Sequence, residues 1–489
     1  MADERPNIVL FMTDQWRGDC LGIEGHPVLQ TPHVDYLGQS GASFRRAYSA
    51  CPSCIPARRS LMTGTAPAAN GMVGFTTDAD WNPAHTLSGE LSKAGYQTQL
   101  VGKLHLQPNR RRYGFDHMLR ADSYRGAEND YVDWLKHDVG RREYDAGQAH
   151  GATSNGWVGR PHVLPEEQTH TFWCFDQGMQ FLERRDPSCP FFLNISTIDP
   201  HPPLTPPGFY YERYIGRDLP EPIVGDWAEE TIADWGVSFD GPTRGLSPDA
   251  SEIHLDAEAM RCARAGYYGL CNFIDDQIGR FMQSFAGRYP NTLFIFTSDH
   301  GEMLGDHHLF RKCFPYEASA RVPMAVRGPR DWDCPDGVVC DTPVDLQDIM
   351  PTCLDAAGVD IPEMCTGRSL LPIIRGETDR VRDTLHGEHA ACYRPGHAMQ
   401  FLTDDRYKYI WYTQTGREQL FDLSNDPDEV HDLARTGDAA GRLDPWRKRM
   451  IDVLKDRGEG FTDGRELVAG REHGLFVAGY DPNEMHGFL

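Results

Sequence analysis

Four apolar runs in this chain end abruptly in polar, chemically capable residues. Asn7-Ile8-Val9-Leu10-Phe11 runs into Asp14-Gln15, and Tyr96 to Val101 runs into Gly102-Lys103-Leu104-His105. Phe191 to Thr197 leads to Asp199-Pro200-His201, and Thr292 to Thr297 leads to Asp299-His300-Gly301. The runs are apolar at consecutive rather than alternate positions, so they read as strands buried on both faces of a parallel sheet. Helical patterns fall between them at 34–40, 87–94 and 257–285. Strands alternating with helices predict an α/β domain built on a mostly parallel sheet. Ligands bind such sheets beyond the carboxyl ends of the strands, where all four polar clusters fall. An Asp after a strand is often only a turn or a helix cap, and a single Lys or His in a loop is usually solvated. Four clusters converging on one sheet edge favour a shared site. His307 and His308 read as structural or solvent-facing and stay outside it.

The pattern changes after Leu370-Leu371-Pro372 and Arg375-Gly376. Short strands are predicted at 384–389, 398–403, 407–412 and 419–423, with turns at Asp404-Asp405 and Thr415-Gly416. They form a small antiparallel sheet, followed by a helix over 442–457. The chain therefore divides into a catalytic α/β domain, 1–378, and a C-terminal antiparallel-sheet subdomain, 379–489. The tail from Glu459 is Gly-rich but holds Phe461, Phe476, Tyr480 and Phe488, more aromatic surface than a disordered end carries. It is expected to dock on a neighbouring subunit, making the protein a homo-oligomer (dimer or tetramer), or to close over a pocket.

At 489 residues the chain can bury a large core, and no stretch is long enough to span a membrane. The N-terminus lacks the basic and apolar segments of a leader, so the protein reads as cytoplasmic. Thirteen cysteines scattered along the chain form no disulfide framework. A net charge of −24 disfavours nucleic acid and anionic membranes as partners. It also repels small anions at long range, so an anionic substrate needs a local cationic pocket and a metal.

The run Cys54-Ile55-Pro56-Ala57-Arg58, with Leu61, Thr63 and Gly64 behind it, carries the sharpest chemistry. It reads as a nucleophile at a helix start: Pro56 suits the first helical position, Ala57 to Met62 form the helix, and Gly64 ends it. A helix N-terminus offers free N–H donors and a positive dipole end to an oxyanion. Cys51-Pro52-Ser53-Cys54 also spells a Cys-x-x-Cys pair, a redox dithiol or half a zinc site, but that reading leaves Arg58 unexplained.

The run resembles the signature of the type I sulfatases of the alkaline-phosphatase superfamily, with Ala57 where serine is usual. The other clusters follow in the order the family leads one to expect, and Lys312 in Leu309-Phe310-Arg311-Lys312 looks like its second active-site lysine. The stretch 31–49, with Asp35 and Tyr48, and the segments Leu420 to Leu423 and Asn425-Asp426-Pro427 also resemble the family. The resemblance implies a large mixed, mostly parallel sheet sandwiched by helices. It implies that Cys54 is converted to Cα-formylglycine by a formylglycine-generating enzyme. It further implies one divalent cation held by Asp14, Gln15, residue 54, Asp299 and His300, calcium first and manganese or magnesium as alternatives. Many sulfatases carry Asp where this chain has Gln15 and Asn where it has His300. The expected reaction is hydrolysis of aryl or small alkyl sulfates through a covalent sulfo-enzyme intermediate. Arg58 would hold the nucleophile, Lys103 and Lys312 the sulfate, His201 the leaving oxygen, and His105 would deprotonate the second hydroxyl. Phosphonate monoester or phosphodiester hydrolysis, and choline sulfate hydrolysis, are the alternatives within the superfamily. A non-catalytic metal-binding homologue is the alternative outside enzymes. Segments 106–190 and 202–255 match the family poorly and are expected to carry substrate choice.

Overall fold

The structure is a computed structural model that describes residues 5–123, 129–141, 149–238, 249–285 and 287–481. Phe488 lies outside the described residues. Its main sheet has eight strands: β1 (Asn7–Asp14), β2 (Ala42–Phe44), β4 (Gln97–Gly102), β5 (His117–Arg120), β6 (Phe191–Pro200), β7 (Thr292–Ser298), β8 (Met324–Arg327) and β9 (Val338–Cys340). They stand in the order β5-β4-β6-β1-β7-β8-β2-β9. The five strands from β5 to β7 run parallel, while β8 is antiparallel to both its neighbours. A short parallel pair, β3 (Ala47–Tyr48) with β10 (Val344–Asp345), lies apart from this sheet.

The consecutive apolar residues of β1 serve two cores. Val9 and Phe11 enter one, with the helices His170–Arg184 and Ala257–Phe285; Ile8, Leu10 and Met12 enter the other, with the helices Cys54–Thr63, Leu87–Lys93 and Ile349–Ala356. Burying a side chain such as Phe11, which meets Phe281 edge to face at 5.4 Å, is worth about 1.5–3 kcal/mol. This double burial pins the register of the central strands and so fixes where their carboxyl ends fall. β1 and β6 run two to three residues beyond the apolar runs seen in the sequence, so Asp14 and Asp199 belong to the strands themselves.

The C-terminal sheet is β11 (Leu385–His389), β12 (Met399–Thr403), β13 (Tyr407–Tyr412) and β14 (Glu418–Asp422), all antiparallel in sequence order. One face packs on Tyr48, Trp227 and Tyr316; the other is covered by the helix Ala439–Leu454 and Phe461. Lys408, without solvent contact, is held between Glu317 at 2.6 Å and Glu429 at 3.0 Å.

The tail docks on its own chain. Val73 N–H donates to Leu475 O at 2.9 Å, Val477 N–H donates to Gly71 O at 3.0 Å, and Phe476 stacks on Tyr480. These contacts hold the arm against its own chain, and none of its described residues lines the cavity over Cys54. Among the described residues no helix is long and apolar enough to cross a membrane.

Candidate active site

The helix that carries the nucleophile starts earlier than its proline suggested. It spans Cys54–Thr63, with Ser53 as the flanking residue, so Pro56 is its third residue. Proline is tolerated there because the first-turn N–H groups have no intrahelical partner. Cys54 thus sits at the positive end of the helix dipole. Gly64, at φ 65°, ends the helix in the left-handed conformation.

Four strand ends and one loop surround Cys54. Its Sγ lies 3.2 Å from His300 Nε2, 3.2 Å from Lys312 Nζ, and 3.6 and 3.7 Å from the two Asp14 carboxylate oxygens. Asp14 ends β1; Asp299 and His300 follow β7. His300 Nε2 is 3.3 Å from Asp14 Oδ1 and 3.5 Å from Asp299 Oδ1. Lys103 reaches Asp14 from the end of β4. Gly102 makes that approach feasible: at φ 103°, a Cβ there would stand 1.9 Å from Ser196 O, the atom that accepts from Lys103 N–H at 2.8 Å. Arg58, one turn along the helix, donates from Nε to Asp299 Oδ2 at 2.9 Å and from Nη1 to Lys103 O and Ser196 Oγ. Its Nη2 is buried with no hydrogen-bond partner among the described residues. Gln15, at φ 75°, donates its backbone N–H to Asp299 Oδ1, and its side-chain carbonyl accepts from Lys312 Nζ at 2.9 Å.

Two carboxylates thus face three permanent cations, Arg58, Lys103 and Lys312, in a site almost without solvent. Burial alone would raise the Asp14 carboxyl, but Lys103, with His201 and Lys312 behind it, pulls it well below the carboxylate range. Burial, then the Asp14 charge, pushes the Cys54 thiol up to about 11, so as a cysteine it is a poor nucleophile at neutral pH. Burial, then Lys103 and Arg58, holds His105 well below its ordinary value, leaving its ring neutral and able to accept a proton. His201 is neutral for the same first reason, with Lys312 second. Its Nδ1–H is directed at Pro202 O, 2.8 Å away, so Nε2 carries the lone pair.

The donor set fits a divalent cation. Asp14, Cys54, Asp299 and His300 each place a ligand atom within 4.8 Å of the others. His300 Nδ1 lies 2.9 Å from Gly301 O, which fixes the tautomer and turns the Nε2 lone pair inward.

The sequence profile of the family described as Sulfatase matches residues 6–359. The chain belongs to the sulfatase family. A second profile, N-sulphoglucosamine sulphohydrolase, C-terminal, matches residues 305–455 of this sulfatase. The chain is 40% identical over 483 residues to an arylsulfatase of Clostridium perfringens, covering 95% of this chain and 98% of that one. It is 30% identical to the multifunctional alkaline phosphatase superfamily protein PehA of Trinickia caryophylli, covering 89% and 92%. The crystal structure of the phosphonate monoester hydrolase of Agrobacterium radiobacter superposes with a TM-score of 0.77 at 26% identity, covering 92% of this sulfatase and 96% of that chain.

A cavity of about 530 Å³ opens over Cys54, and Lys103, His105, His201 and Lys312 all line it. Its outer wall includes Ser123, Ser154 and Asn155 from the segment expected to carry substrate choice, and Pro202 and Pro203 from the other. Phe75, Arg311, Cys392 and Tyr393 also line it and escaped the sequence reading. Phe75 and Tyr393 belong to loops with no signature of their own, and Arg311 was overlooked beside Lys312. All thirteen cysteines are free, and Cys51 is not in the donor group that Cys54 forms with Asp14, Asp299 and His300, so the pair does not act as half a zinc site. His307 proves structural: its Nδ1 accepts from Gly225 N–H at 3.0 Å, and its ring lies against Trp227.

Proposed function

We propose that this sulfatase hydrolyses aryl or small alkyl sulfates with a Cα-formylglycine made from Cys54 as nucleophile. The observation that carries the reading is the shell around Cys54 Sγ, where two carboxylates, an imidazole and a lysine meet one buried atom. That sulfur stands in for a hydroxyl of the hydrated aldehyde, which attacks sulfur in place of a weak, protonated thiol. Asp14, residue 54, Asp299 and His300, with Gln15 beside them, would hold the cation, calcium first and manganese or magnesium as alternatives. When bound, the ion polarises the sulfate and lowers the pKa of the nucleophile.

The chain's own residues do the rest. Arg58 Nη2, without a hydrogen-bond partner among the described residues, would hold the attacking hydroxyl, while its Nε pairs with Asp299 Oδ2 at 2.9 Å and orients that carboxylate. Lys103 and Lys312 bind the sulfate oxygens. His201 faces the leaving oxygen. His105, neutral in its buried setting, takes the proton of the second hydroxyl, so the aldehyde re-forms and sulfate departs without a second attack on sulfur. Maturation requires a formylglycine-generating enzyme. We place the protein in the cytoplasm, divide it at 378/379, and expect a homo-oligomer (dimer or tetramer).

A second reading has specific support: the similarity to a phosphonate monoester hydrolase and to PehA favours activity on phosphonate monoesters and phosphodiesters. Choline sulfate hydrolysis is the remaining alternative. One experiment decides. Aryl sulfates, choline sulfate, phenyl phosphonates and phosphodiesters are compared by kcat/KM on protein whose formylglycine content is known from mass spectrometry. Sulfates should lead, and protein with unconverted Cys54 should be nearly inert. A phosphonate or diester preference of several orders of magnitude would displace the sulfate reading.

A further inference from the structure

The cavity over Cys54 carries one charged group that sulfate hydrolysis leaves unused. Arg311 lies on its wall beside Lys312, whose ammonium is 3.2 Å from Cys54 Sγ. The Arg311 backbone is pinned on both sides: its N–H donates to Glu302, and its carbonyl accepts from Met303 N–H at 2.8 Å. Its guanidinium sits over the ring of Tyr393, 5.0 Å from the centroid. Among the described residues no carboxylate pairs with that guanidinium, and its Nε, shielded from solvent, has no hydrogen-bond partner either. An arginine on a cavity wall without a counter-ion is available to an anionic ligand through its terminal Nη donors.

The carboxylate on the same wall does not meet this need. Asp122 accepts from Leu104 N–H at 2.7 Å and His105 N–H at 3.1 Å through Oδ1, and from Arg120 at 2.6 Å through Oδ2. Its lone pairs support the loop that carries His105. Phe75, Ile198, Pro203 and Tyr393 put apolar surface into the same cavity. An apolar lining with one fixed cation matches a flat ring bearing an anion. It does not match a quaternary ammonium, which needs an open aromatic face; here the face of Tyr393 is taken by a positive charge.

Building on the sulfatase reading, we propose that Arg311, braced by Tyr393, is an anion subsite for the leaving group, and that the preferred substrates are aryl sulfates whose ring carries a carboxylate. Such a dianion meets long-range repulsion from a chain of net charge −24, but screening confines that field to about 8 Å at physiological ionic strength. Inside the cavity Arg311 forms charge-assisted hydrogen bonds to the carboxylate while Lys103 and Lys312 take the sulfate. The anionic group thereby sets which end of the substrate faces Cys54.

The test compares the sulfate esters of 3- and 4-hydroxybenzoate with those of the matching benzamides, on formylglycine-containing wild-type protein. The carboxylate should be favoured in kcat/KM by about 10- to 100-fold at one ring position, the range expected for hydrogen bonds to a charged group. In Arg311→Met that ratio should collapse toward one, and in Arg311→Lys it should fall only partly. Calorimetry adds a readout free of turnover: wild-type protein should bind the hydroxybenzoate more tightly than the hydroxybenzamide, and Arg311→Met should not. A ratio near one in the wild type, or a preference that survives in Arg311→Met, would overturn the inference while leaving the sulfatase reading intact. Failure of every aryl sulfate, benzamides included, would overturn that reading and the inference with it.

Discussion

Arg58 reaches from the nucleophile's helix to Asp299 and closes an ion pair of 2.9 Å, with both side chains nearly free of solvent contact. One side chain thereby ties the helix that presents residue 54 to the end of β7, which presents two of the metal donors.

Removing that cation leaves a buried carboxylate uncompensated. Arg58→Met should lose about 3–5 kcal/mol of stability, read by chemical denaturation, together with nearly all turnover. Arg58→Lys restores the charge but not the fork of donors that also holds Lys103 O and Ser196 Oγ. It should recover more of the stability than of kcat/KM. Equal recovery of both would mean that Arg58 acts only as a counter-charge.

His201 bears on the leaving group. With Nδ1–H committed to Pro202 O, its Nε2 can donate a proton only from the imidazolium form, which burial and Lys312 disfavour. A phenol with electron-withdrawing groups departs without a proton, whereas an aliphatic alcohol does not. His201→Gln should therefore slow 4-nitrophenyl sulfate only a few-fold and alkyl sulfates by about 10²–10⁴, the usual contribution of a general acid. A uniform loss across leaving groups would reassign His201 to binding.

Acid stability rests on a pair of arginines outside the site. Asp306, 4% exposed, pairs with Arg17 at 2.7 Å and Arg264 at 2.6 Å. Burial alone would raise its carboxyl, but Arg17 and then Arg264 hold it below the ordinary 3.8. A carboxyl depressed by folding contributes stability that is fully present above its unfolded value and lost as pH falls below it. Asp306→Asn should therefore be less stable than wild type at neutral pH, and the gap should narrow only below about pH 3.8. A gap that closes between pH 7 and 5 would point to a different group.

The catalytic shell was legible because its residues sit where the hydrophobic pattern breaks. Asp14, Lys103, His201 and Asp299 each follow a run buried on both faces, and parallel strands deliver their carboxyl ends to one edge. The helix boundary was less legible: Pro56 suggested the first position, yet the first turn needs no N–H at its third residue either. Part of the cavity wall could not be read. Phe75, Arg311, Cys392 and Tyr393 meet only because the C-terminal sheet packs on Tyr48, Trp227 and Tyr316, a long-range event with no local period. The tail's aromatics signalled burial correctly but could not say against what.

That tail offers a last test, because its contacts lead to the cavity. Leu475 and Val477 hydrogen-bond Val73 and Gly71, while Met72 and Val73 beneath them have no solvent exposure. Two residues further on, Phe75 lines the cavity and meets the ring of His105 edge to face at 5.9 Å. Truncation after Gly470 uncovers Met72 and Val73 and frees the segment that holds Phe75. Losing the cover over even one large apolar side chain costs about 1.5–3 kcal/mol, so the thermal midpoint should drop. KM for aryl sulfates should rise more than kcat falls, since Phe75 lines the cavity but stands outside the shell of groups around Cys54 Sγ. The mass per particle by light scattering should not change, because the arm lies on its own chain. A smaller particle would instead assign the arm to a subunit contact, and unchanged KM would uncouple it from the cavity.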